Sequence, residues 1–525
     1  MRPAETLNPS DVVMRSDSRL ACGTGRWIGL VLLGALLALL SVHAAGVFLD
    51  FMASIRYPFQ WDYGEGIVWQ QAALIPGPLM YSNSQSLPFI VFHYPPLFYL
   101  LARAALWIQP DFLSAGRLVS SLSAVLIAIA VAGLVWISAR RPGRAIAAAE
   151  FAIALATGLL VLCLHAVHNW GMLMRVDMAA IAFGMMGLVV GAWANGRFWG
   201  TAMALLICVA SVFTKQTQLP VGVAVFLVAL LRNPCGALCA AALAAVFGLG
   251  ALGLMQGLTE GGFLHNIIGY NINSFSPRHA YWVFWPERSS FLFMALMLIA
   301  AGATLLGLFQ RRPTDPRLPA IGQFLLRFRL ADRAMTSRAM LLVHFALASL
   351  MLFTALKSGA FFNYLLDWLC VGCVLMGVLL CDLVGTGWRF SLVTALLIPG
   401  VLNLPFREIP VRIPQQQLDR QAALVDRIAA AKKPVASEDM TLLMRAGRPV
   451  IFEPAIVTEL ASRGRWDQEP LVNMIRSGGF AFMITTEDTP GGSFHRTPAV
   501  DAAMREAYPR VERFGPELWL HLPLS

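Results

Sequence analysis

The chain has 525 residues, of which 57% are hydrophobic and only 13% are charged. Soluble domains carry about 25% charged residues, so this composition excludes an ordinary soluble protein and predicts a membrane protein. The formal net charge is +10, but the basic residues stand in short loops between apolar runs, which is a membrane-topology pattern and not a nucleic-acid-binding face.

Long apolar runs without the alternation of barrel strands predict a bundle of transmembrane helices, because every backbone amide must be paired inside lipid. We interpret the first run as a retained span and not as a signal peptide, since about 26 residues precede it and it is longer than a signal h-region. After this tail, residues 1–26, eleven spans are predicted at about 27–49, 113–138, 145–165, 173–195, 199–214, 217–231, 236–258, 290–309, 339–357, 363–384 and 388–404.

The arginines between the predicted spans indicate the orientation of the chain. With eleven spans, the arginines near residues 140–144 and the basic loop 311–338 fall on the same side as the N-terminus. The positive-inside rule therefore predicts a bacterial inner-membrane protein with a cytoplasmic N-terminus and a periplasmic C-terminus. The apolar stretch 94–108 is too short to span and is assigned to a large first periplasmic loop, residues 50–112.

After residue 404, charged residues and proline occur at the frequencies of soluble proteins. Residues 405–525 alternate short strand and helix patterns, which predicts a small periplasmic α/β domain appended to the membrane domain at 27–404. The predicted strands are 434–437, 449–452 and 480–485, and the predicted helices are 417–431, 439–446 and 469–477.

Ionisable residues in or beside transmembrane segments are costly, and they commonly face a functional cavity. In this topology they gather on the periplasmic side. Asp62 and Glu65 follow the first span, and they would share one face if this turn is helical. The others are His93 and Tyr94 before a Pro-Pro pair, Arg117, Arg175, Asp177, Lys215, Gln216, Lys357, Asn363 and Tyr364.

Each of these residues has an ordinary structural alternative, such as a solvated turn for Asp62 and Glu65 or a snorkelling side chain for Arg117. Their common side of the membrane nevertheless favours one polar cavity. Carboxylates can act as general bases, and arginine and lysine can neutralise a phosphate leaving group. This combination is what transfer from a phosphate-activated lipid requires.

An acidic motif after the first span, a Pro-Pro-Leu motif and an arginine at the next span resemble the GT-C glycosyltransferases. The protein O-mannosyltransferases and the lipid A aminoarabinose transferases are the relatives most similar in style. Arg175-Val176-Asp177, Lys215 and the segment 359–366 also resemble their pattern. The acidic pair departs from it, because Asp62 and Glu65 are not adjacent, and Tyr94 precedes the prolines in place of His or Lys.

The resemblance implies inverting transfer of a sugar from a polyprenyl-phosphate donor to a hydroxyl of a glycan, lipid or protein acceptor. It implies that Asp62 is the general base and that Glu65 positions a substrate, although either carboxylate could be the base. Arg117, Arg175, Lys215 and Lys357 would bind the donor phosphate. The sugar and acceptor pocket would contain His93, Tyr94, Asp177, Gln216, Asn363 and Tyr364.

No metal site, cofactor or nucleic-acid partner is expected, because no cluster of His and carboxylate residues indicates a metal. Two other functions remain open from the sequence. A transporter or lipid flippase would account for the many spans, although no repeat is visible. A scaffold whose C-terminal domain binds another envelope protein is the third alternative.

Overall fold

The computed structural model of the protein describes residues 9–139, 148–271, 273–309, 319–409, 413–491 and 493–524. Arg140, Arg141, Arg144 and the first part of the predicted basic loop 311–338 lie outside these ranges. In chain order the helices up to residue 402 are α1 (Pro9–Arg56), α2 (Tyr63–Ala73), α3 (Leu97–Ala105), α4 (Phe112–Ala139), α5 (Ala148–Cys163), α6 (His165–Gly171), α7 (Val176–Ala194), α8 (Phe198–Thr214), α9 (Leu219–Arg232), α10 (Pro234–Leu258), α11 (Gly262–Ile267), α12 (His279–Phe284), α13 (Phe291–Phe309), α14 (Ala320–Arg329), α15 (Arg333–Met351), α16 (Leu366–Leu383) and α17 (Trp388–Leu402).

The apolar helices of the described residues coincide with the predicted spans. Seven helical segments are long and apolar enough to cross a membrane. The first is the part of α1 from Thr24 to Arg56, and the others contain α4, α7, α10, α13, α15 and α16. The pair α5 and α6, bent by 65°, would be an eighth span, and three shorter apolar helices contain α8, α9 and α17. The predicted polytopic helical membrane protein is therefore confirmed.

Helix α16 lies in the middle of the bundle and packs against α4, α5, α13 and α15. Fourteen of its 18 residues are buried, as expected of a largely apolar helix surrounded by other helices. Helix α3 has only 9 residues, so at 1.5 Å per residue it is far too short to cross roughly 30 Å of hydrocarbon. It lies within the first loop, as the sequence predicts.

The C-terminal part of the chain contains a small mixed sheet flanked by helices, which confirms the predicted α/β domain. The strands pair in the order β1-β2-β4-β3, with β1 and β2 parallel and the other pairs antiparallel. Its elements are α18 (Gln415–Ala429), β1 (Ala436–Ser437), α19 (Met440–Arg445), α20 (Pro454–Ser462), α21 (Glu469–Arg476), β2 (Met483–Thr485), α22 (Pro498–Ala507), β3 (Arg510–Phe514) and β4 (Leu518–Leu522).

One predicted strand of this domain is wrong. Residues 449–452 do not join the sheet, and Phe452 forms only an isolated parallel bridge with Phe89 of the first loop. The amide of Phe89 donates to the carbonyl of Ile451 over 2.8 Å, and the Phe89 ring stacks on Trp466 with centroids 5.1 Å apart. The segment is extended because it pairs with the loop, which a pattern read within residues 405–525 could not indicate.

The first loop and the C-terminal domain share apolar cores. In one core, Phe89 of the first loop is buried with Tyr270, which follows α11, and with residues of α20 to α22. In the other, Tyr57 and Phe59 of the first loop are buried with residues of α18 and α19. Arg445 of α19 donates to Asp111 over 2.5 Å and to the carbonyl of Pro58 over 2.6 Å. These contacts hold the C-terminal domain against the loop that carries Asp62.

Candidate active site

Asp62 stands at the start of α2, where the helix begins because the Asp62 side chain caps it. Its Oδ1 accepts from the amide of Gly64 over 3.0 Å, a common N-cap contact. The same oxygen accepts from Nη1 of Arg175 over 2.6 Å. The side chain of Asp62 is 34% exposed and that of Arg175 is 17% exposed, so this ion pair is partly accessible from outside the protein core.

Gly64 makes this arrangement possible. A Cβ atom added to Gly64 would lie 1.3 Å from Nη1 of Arg175, so the guanidinium occupies the space of the missing side chain. The Arg175 guanidinium also lies over the ring of Trp170, with Cζ 5.8 Å from the centroid. Burial would lower the pKa of Arg175, but the nearby carboxylate of Asp62 outweighs this and raises it. Arg175 therefore stays charged beside Asp62.

Glu65 and Arg117 lie on the other side of α2 and form a pair in which both side chains are fully buried. Arg117 donates from Nε and Nη2 to Glu65 over 2.8 and 2.7 Å, and to the carbonyls of Ser54, Tyr57 and Phe59. These bonds use all five N–H donors of the guanidinium. Asp62 and Glu65 therefore do not share one face, and Arg117 has no donor left for a phosphate in this conformation.

A cavity of about 370 Å³ opens beside Asp62. Its lining includes seven of the residues predicted from the sequence and Tyr63, which follows Asp62. The seven are Asp62, His93, Tyr94, Arg175, Lys357, Asn363 and Tyr364. Lys357 has no carboxylate within ion-pair distance among the described residues, and its ammonium donates to the carbonyl of Asn271 over 3.1 Å. Burial and the positive charge of Lys215 lower the pKa of Lys357.

Lys215 and Asp177 lie deeper and interact with each other. Nζ of Lys215 donates to Oδ1 of Asp177 over 2.5 Å, and the amide of Asn363 donates to the same oxygen over 2.8 Å. They line a separate cavity of about 30 Å³, which has Asn363 and Tyr364 in common with the larger one. Gln216 lines neither cavity, and its amide donates to the carbonyls of His93 and Ile267 over 3.0 Å each.

Asp62 also lines a second large cavity, of about 400 Å³. Its lining includes Asp62, Trp170 and Phe361, which also line the first cavity, and it extends to His165 and Glu408. The carboxylate of Asp62 thus stands where two cavities meet. This is the arrangement that a transfer between two separately bound substrates needs, because one group must reach both of them.

The C-terminal domain contributes residues that the sequence reading did not include. Glu453, Ile456, Glu459 and Phe494 line the first cavity. Glu453 caps α20 by accepting from the amides of Ala455 and Ile456, each over 2.9 Å. The proline at the first position of α20 was a readable signal of a helix start, but no local signal places this helix against the first loop.

Three solved structures align with most of this chain. Over 93% of this chain and 98% of the other, it matches ArnT from Cupriavidus metallidurans bound to undecaprenyl phosphate, with a TM-score of 0.51 and 12% identity. Apo ArnT from the same organism matches over 91% and 97%, with a TM-score of 0.47 and 13% identity. An oligosaccharyltransferase from Archaeoglobus fulgidus, tethered to an acceptor peptide, matches over 85% and 69%, with a TM-score of 0.43 and 12% identity.

No protein-family profile matches the sequence, and no curated protein matches it. The ArnT structure bound to undecaprenyl phosphate aligns over nearly the whole length of both chains and therefore shows the fold of this one. Together with the apolar helices, that similarity identifies this chain as a multi-pass helical membrane protein with the fold of the ArnT structure.

Proposed function

We propose that this protein transfers a sugar from a polyprenyl-phosphate carrier to an acceptor hydroxyl, on the periplasmic face of a bacterial inner membrane. The observation that carries the proposal is the position of Asp62, a partly exposed carboxylate at the junction of two cavities, paired with Arg175. The similar fold of ArnT bound to undecaprenyl phosphate supports a donor of this class.

In the proposed reaction Asp62 accepts the proton of the acceptor hydroxyl, whose oxygen attacks the anomeric carbon of the donor sugar. The bond between the anomeric carbon and the phosphate oxygen breaks on the opposite face, so the configuration inverts. The phosphate leaves with the bonding electrons, and its charge is neutralised by Arg175 and Lys357, the two cations of the first cavity. Arg175 also orients Asp62 through their hydrogen bond.

The remaining candidates take roles that follow from their contacts. We assign Glu65 and Arg117 to holding the first loop in place, because both are buried and satisfied by each other. We assign Asp177, which is paired with Lys215, to positioning Asn363 by accepting its amide hydrogen. Gln216 positions the backbone at His93 by donating to its carbonyl. His93, Tyr94, Asn363 and Tyr364 remain the proposed wall of the sugar pocket.

The proposal is tested with membranes containing the wild type, Asp62→Asn or Asp419→Asn, incubated with a panel of radiolabelled polyprenyl-phosphate sugars. Asp419 is an exposed carboxylate of α18, so its variant is the matched control. We expect label to move to a lipid, glycan or protein acceptor with the wild type and the control, and not with Asp62→Asn. Full transfer by Asp62→Asn would overturn the role of Asp62. Intact donor with every protein, together with vesicle uptake of a solute, would favour a transporter.

A further inference from the structure

The first cavity has two walls of different chemistry. The membrane-domain wall carries its cations, Arg175 and Lys357. The other wall belongs to the C-terminal domain and consists of Glu453 and the first turns of α20, with Phe494 also in the lining. Among the lining residues, both cations therefore belong to the membrane-domain wall, which also carries Asp62 and several aromatic rings, whereas the charged residues of the C-terminal wall are carboxylates alone.

Glu453 fixes the position of the second wall against the first loop. The hydroxyl of Tyr63, the residue after Asp62, donates to Glu453 and accepts from the amide of Ala455 over 3.0 Å. Nε2 of His93 lies 3.7 Å from Oε2 of Glu453. Glu453 is buried, and burial would raise its pKa, but His93, Tyr63 and the helix amides outweigh this and hold the pKa below its ordinary value of 4.5. It is thus an ionised acceptor of hydrogen bonds.

Glu459 lies six residues further along the chain, within α20, and is more accessible, with 22% of its side chain exposed. Its Oε2 accepts from the hydroxyl of Ser358 over 3.5 Å, and Arg463 lies 2.6 Å from Oε1. Nearby, the amide nitrogen of Asn273 donates to the carbonyl of Ser358 over 2.9 Å, while Oδ1 of Asn273 is buried without a hydrogen-bond partner among the described residues. These oxygens are acceptors for hydroxyl groups.

A glycosyl phosphate has an anion at one end and hydroxyl groups at the other. Carboxylates repel the phosphate but accept hydrogen bonds from hydroxyls, and an aromatic ring packs against the C–H face of a sugar. We infer that Glu459 and Phe494 of the C-terminal domain, together with Asn273 of the membrane domain, contact the transferred sugar, while Arg175 and Lys357 hold the phosphate. This inference rests on the proposed function and gives the donor one orientation in the cavity.

The orientation predicts opposite effects for variants of the two walls. Two quantities are measured on the full-length protein in detergent, namely the affinity for undecaprenyl phosphate without a sugar, and the ratio of kcat/KM for two donors that differ in one hydroxyl. Glu459→Gln and Phe494→Ala are expected to change the ratio about 10-fold or more, with unchanged affinity for undecaprenyl phosphate. Lys357→Met is expected to weaken that affinity about 10-fold or more and to leave the ratio unchanged.

Phe494 is 58% exposed, so its removal leaves the apolar cores intact and provides a test that does not depend on the Glu459–Arg463 pair. Glu506→Gln, at a carboxylate that is 71% exposed on the same domain, is the matched control. Unchanged ratios in both Glu459→Gln and Phe494→Ala would overturn the inference, as would an equal loss of undecaprenyl phosphate affinity in variants of both walls. If the wild type neither binds undecaprenyl phosphate nor transfers sugar, the proposed function itself fails.

Discussion

Replacing Gly64 by alanine tests whether the Asp62–Arg175 pair is needed for activity. An added Cβ would lie 1.3 Å from Nη1 of Arg175, and an ordinary contact is about 3.4 Å, so the guanidinium must move by about 2 Å. That displacement breaks the 2.6 Å hydrogen bond to Asp62. Gly64 lies inside α2, where alanine is favoured over glycine, so the backbone itself is not strained.

The expected cost in stability is small, since a partly exposed ion pair contributes about 0.2–1 kcal/mol. The expected cost in activity is large, because misplacing reacting groups by about 1 Å can reduce the rate about 100-fold. Sugar transfer and the melting temperature would be measured for Gly64→Ala and for Gly133→Ala, a control in α4 whose added Cβ meets nothing within 4 Å.

We expect Gly64→Ala to lose at least about 99% of transfer, with a melting temperature close to that of the wild type, and Gly133→Ala to retain both. Transfer at the wild-type level by Gly64→Ala would refute the reasoning, since the pair cannot survive that substitution. A large fall in melting temperature would also contradict it, because the close contacts of the added Cβ are with side-chain atoms only, the guanidinium of Arg175 and Oδ1 of Asp62 at 3.0 Å.

Three further substitutions have expected outcomes. Glu65→Gln leaves Arg117 buried without its counter-charge, and it should cost about 3–5 kcal/mol and lower the yield of folded protein, measured by size-exclusion profile and melting temperature. Arg445→Met removes the bonds to Asp111 and the loop backbone, and it should accelerate proteolysis between the membrane and C-terminal domains. Glu453→Gln should lower the melting temperature at pH 7, and the difference from wild type should shrink as the pH falls below 4.5.

The sign of the pH effect follows from the lowered pKa of Glu453. A carboxylate whose pKa is lower in the folded protein stabilises the fold above its ordinary pKa, and this contribution disappears as the carboxylate becomes protonated. A difference between wild type and Glu453→Gln that grows toward acidic pH would contradict this assignment. Wild-type stability of Glu65→Gln, or an unchanged cleavage rate of Arg445→Met, would contradict the other two predictions. Glu506→Gln serves as the exposed-carboxylate control for both glutamate variants.

The membrane architecture was predictable because apolar segments are long and continuous. The gathering of Asp62, Arg175 and Lys357 at one cavity was also predictable, since alternation of spans places every second loop on the same side. The relation of Asp62 to Glu65 was not. Asp62 is the N-cap residue, with φ −140° and ψ 138°, so its side chain leaves the helix and the i, i+3 rule for a shared face does not apply to it.

Long-range contacts account for the other differences. Arg117 resembled a snorkelling or phosphate-binding arginine at a span end, but its five donors are all used by Glu65 and by three carbonyls of the first loop. Glu453 reaches Tyr63 across 390 residues of sequence. Such a contact depends on how the C-terminal domain docks on the loop, and a periodic pattern within either segment carries no information about it.

The most direct test of the account follows both products of the reaction with purified protein. A polyprenyl-phosphate sugar that the protein accepts would be incubated with wild type or Asp62→Asn, and the carrier lipid and the glycosylated acceptor would be quantified by mass spectrometry. The account predicts that wild type releases free polyprenyl phosphate in a one-to-one ratio with glycosylated acceptor, and that Asp62→Asn releases neither. Intact donor that only changes its membrane leaflet in vesicles, with no free polyprenyl phosphate, would contradict the account and identify a flippase.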